Sequence, residues 1–561
     1  MSRPSDHIDS RQPADGGINQ PRLGFVGWLR WLWRQLTSMR TALFLLLLLA
    51  IAAVPGSLVP QRSSDPNGVT QYFVDNPDLA PVLDTFQAFE VYTSVWFSSI
   101  YLLLFVSLIG CVVPRTRYHF QALRAKPPKT PARLARLAGF IEREVPAGVA
   151  DAASVVEAAR AQLRSGGYRV AVFTDAKELS VSAERGYLRE TGNLVFHSAL
   201  IGILVAVGFG GGFGFTGQRV VVEGQSFVNS LLAYESYNPG RFFSPGSLEP
   251  YKLTLDSFDV TYETENRDAF GQPTDFAANV TVEHKGEKPE PGRVKVNEPL
   301  RTGGTDIYLL GNGYAPTITV RDPEGTVVFT DSIPFLPQDA QLTSLGVVKV
   351  PDGLAEQIGM IGFFYPTQAA QQQPYFSSFP DLEYPVLTLD VFAGDLGIDG
   401  GIPTSVYTLN TDSMTQLTRG DTGVKSIELM PGRSQELPNG LGTVTFENAA
   451  PNAPADPAET TDYSHSVLRF ASLDIHNDPT QGWVLLFAVL VLLGLLTSLF
   501  IPRRRIWVKV VEREDGSLRI EYAGLARGED PTLEEAVAAV AERHSAAFTA
   551  PLAPAGQSDL G

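Results

Sequence analysis

The stretch GNLVFHSALIGILVAVGFGGGFGF, residues 192–215, decides the fold because it is apolar enough to cross a bilayer yet contains one ionisable side chain, His197. A membrane-spanning helix needs about 20 predominantly apolar residues. Three further runs reach or approach this length. The sequence therefore predicts four transmembrane helices, at residues 41–59, 95–113, 194–215 and 483–501.

Composition separates the chain into parts of different charge. The net charge is −17, but residues 216–482 contain 15 Lys and Arg against 35 Asp and Glu, a balance of −20, so the remainder is near +3. An acidic chain without a basic stripe excludes nucleic acid as an expected partner. Cys111 is the single cysteine, which excludes an intramolecular disulfide, a CxxC redox pair and a CxxCH haem-attachment site.

Basic clusters predict the orientation of the spans, because Lys and Arg concentrate in cytoplasmic segments. The clusters precede the first span, follow the second and follow the fourth: Arg22, Arg30, Arg34 and Arg40; Arg115, Arg117, Arg124, Lys126, Lys129, Arg133 and Arg136; and Arg503–Arg505. The charged residues of the loop 60–94 are instead mostly acidic, with one arginine against five aspartates and glutamates. We therefore expect a multi-pass protein of the cell (plasma) membrane with both termini cytoplasmic and residues 216–482 extracytoplasmic.

The segments expected on the cytoplasmic side have sequence patterns that predict their local structure. Residues 1–21 and 548–561 are polar and are expected to be disordered. Residues 22–40 mix Trp and Arg, which is typical of a helix in the membrane interface or of an aromatic belt that anchors the first span. Residues 114–192 contain a small α/β unit, and 502–547 contain a hairpin followed by a helix. Since neither piece can form a good core alone, we expect them to pack together.

The outer segment 216–482 is rich in short alternating strands separated by Gly, Pro, Asn and Asp, as in YKLTLDSFDVTYE and FAANVTVEHKG. This spacing predicts a β-rich domain, either a sandwich or a barrel-like sheet. The fold class is thus a multi-pass membrane protein with four helices, a large β-rich outer domain and a small cytoplasmic α/β portion.

His197 is the strongest candidate for a functional residue. A polar side chain inside a bilayer is costly without a partner, so His197 either ties two helices together or acts as a haem ligand or proton relay. Small residues recur beside it at Ser198, Gly202, Ala206 and Gly210, and such a stripe lets a helix or a flat ligand approach the backbone closely.

The other histidines give weaker signals. His119 is expected at the membrane interface, His284 and His544 are expected to be exposed, and His465 and His476 are expected in solvated loops near the outer surface. The sequence contains no nucleophile elbow, P-loop or HExxH motif, so it predicts no catalytic residue.

Several stretches, in order along residues 36–525, resemble the ResB family of cytochrome c biogenesis proteins. They are LTSMRTALFLLLLLAIAAVPGSLVPQ, GNLVFHSALIGIL, FSPGSLEPYKLTLDSFDVTYE, VNEPLRTGGTDIYLLGNGYAP and GWVLLFAVLVLLGLLTSLFIPRRRIWV. Three short spans, a large outer domain and a fourth span also match the layout of that family.

The resemblance implies one half of the System II cytochrome c synthase, working with a ResC-type partner to move haem b across the membrane and to attach it to CxxCH of apocytochrome c outside. It implies that His197 is an axial ligand of the haem iron, opposite a histidine of the partner. Within the outer domain, we expect Asn297, Pro299, Gly304 and Tyr308 to support structure and partner contact. Membrane lipid is a further expected contact.

The resemblance leaves open whether the chain is a non-catalytic or co-catalytic subunit of a haem lyase complex. The alternative is a membrane-anchored sensor or assembly scaffold without chemistry of its own. No kinase, cyclase or DNA-binding signature follows the fourth span, which argues against a sensor of the usual type.

Overall fold

The computed structural model describes residues 24–175, 178–369, 375–398 and 406–548. The disorder expected for residues 1–21 and, apart from Phe548, for residues 548–561 falls outside this part of the chain. The chain divides into two compact units. Unit I ends at Val207 and resumes at Gln481, and unit II is Gly208–Thr480.

The helices of the described residues, in chain order, are α1 Phe25–Leu36, α2 Met39–Leu58, α3 Pro66–Asp75, α4 Ala80–Thr85, α5 Val95–Arg124, α6 Ala152–Ser165, α7 Leu188–Phe213, α8 Gln481–Phe500 and α9 Leu533–Ser545. Helices α2, α5, α7 and α8 contain the four segments that are long and apolar enough to span a membrane. This confirms the expected number of candidate spans. Helix α5 continues past the end of its apolar run at Val113 to Arg124, with Pro114 inside it.

Helix α1 is separate from the first span. Its residues are largely exposed, including three tryptophans, and the chain turns at Thr37 before Ser38 caps α2 by accepting a hydrogen bond from the Thr41 amide. The turn is bound to α5, because the Ser107 hydroxyl donates to the Leu36 carbonyl over 2.6 Å. An exposed aromatic helix beside a span suits the membrane interface.

Glycines of α7 and α8 allow these two spans to approach each other closely. A Cβ added at Gly494 would lie 2.6 Å from the Phe196 amide nitrogen, and one at Gly192 would lie 2.8 Å from the Gly494 carbonyl oxygen. Backbones this close require the absence of a side chain, as in small-residue helix pairs in membranes. The two glycines therefore fix where α7 and α8 meet.

Replacing Gly494 tests this contact. Gly494→Ala should destabilise the chain by about 1–3 kcal/mol because the methyl group has no space, although Ala favours a helix by about 1 kcal/mol relative to Gly. The matched control is Gly482→Ala in the same helix, where an added Cβ meets no described atom within 4 Å. Thermal unfolding of the detergent-solubilised chain should show a lower midpoint for Gly494→Ala alone; equal midpoints for the two variants would contradict the packing.

The strands of the described residues are β1 Ala138–Val145, β2 Arg169–Asp175, β3 Glu178–Arg185, β4 Phe215–Val222, β5 Ser226–Val228, β6 Ser236–Pro239, β7 Tyr251–Tyr262, β8 Pro273–His284, β9 Glu290–Lys295, β10 Leu300–Thr302, β11 Thr305–Ala315, β12 Thr317–Arg321, β13 Val327–Ser332, β14 Leu336–Pro337, β15 Ser344–Val350, β16 Ile358–Tyr365, β17 Val386–Gly394, β18 Met414–Gln416, β19 Ile427–Leu429, β20 Ser434–Glu436, β21 Thr443–Phe446, β22 Leu468–Asn477, β23 Arg504–Glu512 and β24 Leu518–Ala526.

The segments before α7 and after α8 form one α/β domain within unit I. Its antiparallel sheet has the order β1-β24-β23-β3-β2, so β3 and β23, which are far apart in the sequence, lie side by side. Helices α6 and α9 contribute Val155, Leu163 and Val537 to the core, where they pack with sheet residues such as Val508 and Ile520. The expectation that the two segments pack together is confirmed.

His544 of α9 is buried in this core, and the expectation that it is exposed was wrong. It is only 1% exposed; the Tyr522 hydroxyl lies 2.7 Å from Nδ1, and the Val155 carbonyl oxygen lies 2.9 Å from Nε2. The sequence contains the signal, because His544 lies on the same helical face as the buried Val537 and Val540. Burial lowers the pKa of His544, and the hydrogen bond to Val155 only partly opposes this effect.

This burial predicts a loss of stability in acid. Because the folded-state pKa of His544 lies below the unfolded value of about 6.5, the unfolded chain binds the proton first, and stability falls as pH drops below that value. His544→Gln should weaken the dependence of the unfolding midpoint between pH 7.5 and 5.5, whereas His465→Gln, at an exposed position, should leave it unchanged. An unchanged slope in His544→Gln would show that other groups cause the acid sensitivity.

Unit II consists of antiparallel sheets that pack face to face. One pair of sheets, β10-β11-β22-β4-β6 and β5-β7-β8-β9, encloses a core that includes Phe227, Leu253 and Leu473. A second pair, β13-β12-β21-β20 and the sheet β14-β15-β16-β17-β18 with β19 beside β17, encloses a core that includes Met360 and Phe446. The sheets are sandwich-like and not a closed barrel, which decides between the two predicted architectures.

Candidate functional site

His197 lies on α7, about two and a half turns after the helix begins at Leu188. Its Nδ1 is 2.8 Å from the carbonyl oxygen of Asn193, one turn earlier in the same helix. A carbonyl can only accept, so Nδ1 carries the proton and, in the neutral ring, Nε2 keeps a free lone pair. Nε2 has no hydrogen-bond partner within the part of the chain that is described. Among the described residues, therefore, no hydrogen bond of His197 reaches a second helix.

The small residues predicted beside His197 have different surroundings. Ser198 is exposed, Ala206 is buried, and a Cβ at Gly202 would lie 2.5 Å from the Phe487 ring of α8. Gly210 belongs to unit II, where a Cβ would lie 2.6 Å from the Thr480 hydroxyl oxygen. Helix α8 therefore makes the close approach at Gly202, whereas the Ser198 side chain, one turn earlier on α7, is exposed.

A cavity of about 1020 Å³ lies at the end of the spans next to the α/β domain, within unit I. Its lining reaches Asn193 and Leu194, so it ends one helical turn from His197. The charged side chains of its wall are five arginines and two glutamates, together with one histidine: Arg115, Arg189, Arg503, Arg505, Arg527, Glu184, Glu190 and His119.

His119 is part of this wall, and the sequence did not indicate its role. Its expected position at the membrane interface stays a prediction, and its side chain is only 6% exposed. Nε2 lies 3.0 Å from the Thr191 hydroxyl and Nδ1 lies 3.3 Å from a carboxylate oxygen of Glu190. Both ring nitrogens thus contact α7, which makes His119 a polar link between α5 and α7. The available signal was its spacing of four residues from Arg115, which places both on one helical face.

The two glutamates hold three of the arginines. Glu184 accepts hydrogen bonds from Arg503 over 2.9 Å and from Arg505 over 3.1 Å, and Glu190 pairs with Arg503 and Arg527. Burial acts to raise the pKa of Glu184, but the hydrogen bonds from Tyr187 and Arg503 outweigh it and the pKa is lowered. The carboxylate therefore stays ionised at neutral pH.

The candidates in unit II lie at turns and next to the last strand before α8. Asn297 has a positive φ of 63° in the turn between β9 and β10, and Pro299 lies two residues later in the same turn. Gly304 is in the β10–β11 hairpin turn, where its carbonyl accepts a 2.7 Å hydrogen bond from the side-chain amide of Asn477. The ring of Tyr308 lies 5.3 Å from that of His476, edge to face.

His476 lies in a strand and not in the solvated loop expected for it. It lies on β22, and its Nε2 is 2.7 Å from a carboxylate oxygen of Asp474. This hydrogen bond raises the pKa of His476. His284, expected to be exposed, is half-buried, with Nε2 2.8 Å from the Thr302 hydroxyl.

Comparison with known proteins places the chain in a family. The model of the ResB-like family matches residues 39–538. The cytochrome c biogenesis protein CcsB of Synechococcus sp. (strain WH7803) is 27% identical over 323 residues, which covers 57% of this chain and 69% of that protein. The protein of the same name from Synechococcus sp. (strain RCC307) is 26% identical over 331 residues, 57% of this chain and 68% of that protein. With 500 of its residues within the match, the chain belongs to the ResB-like family.

Proposed function

We propose that this chain is the subunit of a System II cytochrome c synthase that, with a ResC-type partner, binds haem and moves it across the cell membrane. In this proposal it also presents apocytochrome c for thioether attachment of haem b at CxxCH on the outer side. The family match and the relatives named cytochrome c biogenesis protein CcsB support a role in cytochrome c biogenesis. Haem transfer and the ResC-type partner are the finer part of the proposal.

The haem proposal is carried by one observation, which is how the two ring nitrogens of His197 are hydrogen-bonded. The Asn193 carbonyl fixes the proton on Nδ1, and Nε2 is left available on a helix that is apolar enough to span the membrane. Histidines that bind metals have this arrangement, in which a hydrogen bond at one ring nitrogen orients the other. A neutral imidazole is a good axial ligand for haem iron, and bonding to iron would offset the cost of placing His197 in the bilayer.

In this proposal, the second ligand of the haem iron comes from the ResC-type partner. Among the described residues, no other histidine forms a hydrogen bond or ring contact with His197. The exposed side of α7 at Ser198 is open, so a partner helix can approach there with its own histidine. In unit II, Asn297 and Gly304 support the turns that position Tyr308, and we propose that this edge contacts the partner or the apocytochrome.

Replacing His197 tests the assignment of the ligand. His197→Ala should leave the complex with the partner assembled but lower its haem affinity at least about tenfold, because an axial ligand is lost. Cytochrome c maturation should fall in parallel, and added imidazole should partly restore the absorption spectrum by entering the vacated volume. The measurement is the haem content and spectrum of the co-purified complex.

The control for this experiment is His465→Ala, at an exposed position in unit II, which should keep its full haem content. If His197→Ala complexes also kept full haem content with an unchanged spectrum, His197 would not be the ligand. If the wild-type complex bound no haem, the alternative function as a sensor or assembly scaffold would be favoured.

The proposal also requires the orientation given by the basic clusters, with both termini in the cytoplasm. A reporter that is active only outside should give signal when fused at residue 300 and none when fused at 140 or 520, because the segments at 140 and 520 follow arginine-rich runs. A reporter active only inside should give the reverse pattern. Signal from 140 or 520 with the outside reporter would reverse the orientation and place the cavity on the other side.

A further inference from the structure

We propose that the cavity lined by Asn193, one helical turn from His197, binds the two propionate carboxylates of haem. Arg115 and Arg189 are the residues that contact these carboxylates. This inference rests on the proposed function and extends it from the iron to the opposite edge of the same molecule. The cavity is about 1020 Å³, which is large enough for a ligand of drug size or more.

The charges of the cavity favour an anion. Five arginines against two glutamates give an excess of three positive charges in its wall. Both glutamates are already engaged by Arg503, Arg505 and Arg527. Arg115 and Arg189 form no ion pair with any described residue: Arg189 donates to the carbonyl of Arg527, and Arg115 lies 3.9 Å from the sulfur of Met39. Two guanidinium groups are therefore left to bind carboxylates.

The rest of the wall favours a ligand that is mostly apolar. Tyr118, Ala122, Leu194 and Leu525 line the cavity between the charged groups. A small inorganic anion would use the arginines and leave this surface in water. A flat apolar molecule with carboxylates along one edge would use both, and guanidinium groups bind carboxylates with well-defined geometry.

The cavity lies next to His197 along α7. Asn193 lines the cavity and also accepts the hydrogen bond that fixes the His197 tautomer. Four residues separate them, which is about 6 Å along a helix axis. A ligand with carboxylates in the cavity can thus extend toward Nε2. A phospholipid could use the arginines and the apolar wall but has no group that needs His197, so we commit to the porphyrin and make lipid an outcome of the test.

The test compares iron protoporphyrin IX with its dimethyl ester, in which both carboxylates are masked. Each is titrated into the full chain purified with its ResC-type partner, and the ratio of the two dissociation constants is measured. In the wild type the ester should bind at least about tenfold more weakly, as expected for loss of charge-assisted hydrogen bonds. In the double variant Arg115→Gln, Arg189→Gln this ratio should fall to about one.

Two control variants separate this inference from the proposed function. Arg117→Gln changes an exposed arginine of the same helix that does not line the cavity, and it should keep the wild-type ratio. His197→Ala should weaken the binding of both porphyrins and preserve their ratio, because it removes a contact to iron and not to carboxylate. Equal unfolding midpoints of the double variant and Arg117→Gln would show that the fold is intact.

Three results would overturn the inference. If the wild type binds the acid and the ester equally, with a spectrum that depends on His197, the carboxylate site is wrong and the proposed function stands. If the wild-type complex binds neither porphyrin, both are wrong. If the double variant keeps the ratio but loses a phospholipid that co-purifies with the wild type, as measured by mass spectrometry, the cavity is a lipid site. The first comparison needs no variant, so a double variant that fails to fold does not prevent the test.

Discussion

The contact of Gly192 with Gly494 is the constraint on which the arrangement of unit I depends. The backbones of α7 and α8 meet there so closely that neither position has space for a methyl group. The contact brings together two parts of the chain that are far apart in sequence, and the strands that flank them, β3 and β23, pair directly. Arg503 consequently reaches Glu184 and Glu190, and the wall of the cavity is completed.

The sequence predicted the membrane helices and many strands correctly, because apolar runs and alternating patterns lie within each element. The apolar runs gave the four candidate spans, and alternation along RIWVKVVERE and LRIEYAGLA gave strands that the structure contains as β23 and β24. The union of the two halves of the α/β domain also followed, since each half was too small to bury a core alone. The register that places Arg504 opposite Arg185 has no such signal, because it depends on the distant pairing.

The residues of the cavity could not be predicted for the same reason. His119 was assigned to the interface from its basic neighbours, but its partners Glu190 and Thr191 are 71 and 72 residues away. His544 is different, because its helical phase with Val537 and Val540 was visible and predicts burial. Distant partners decide whether a polar residue in an amphipathic segment is satisfied, and one sequence does not contain that information.

His119 and His197 also show how hydrogen bonding separates a structural histidine from a ligand. Both nitrogens of His119 contact groups of α7, so binding a metal would require breaking a link between helices. His197 uses one nitrogen within its own helix, and its other nitrogen has no hydrogen-bond partner among the residues that the structure describes. The arginines and Glu184 of the neighbouring cavity wall stay charged at neutral pH, since arginine stays protonated and the pKa of Glu184 is lowered. These arginines and Glu184 therefore keep their charges across physiological pH, so the proposed attraction of the cavity for carboxylates does not depend on their titration.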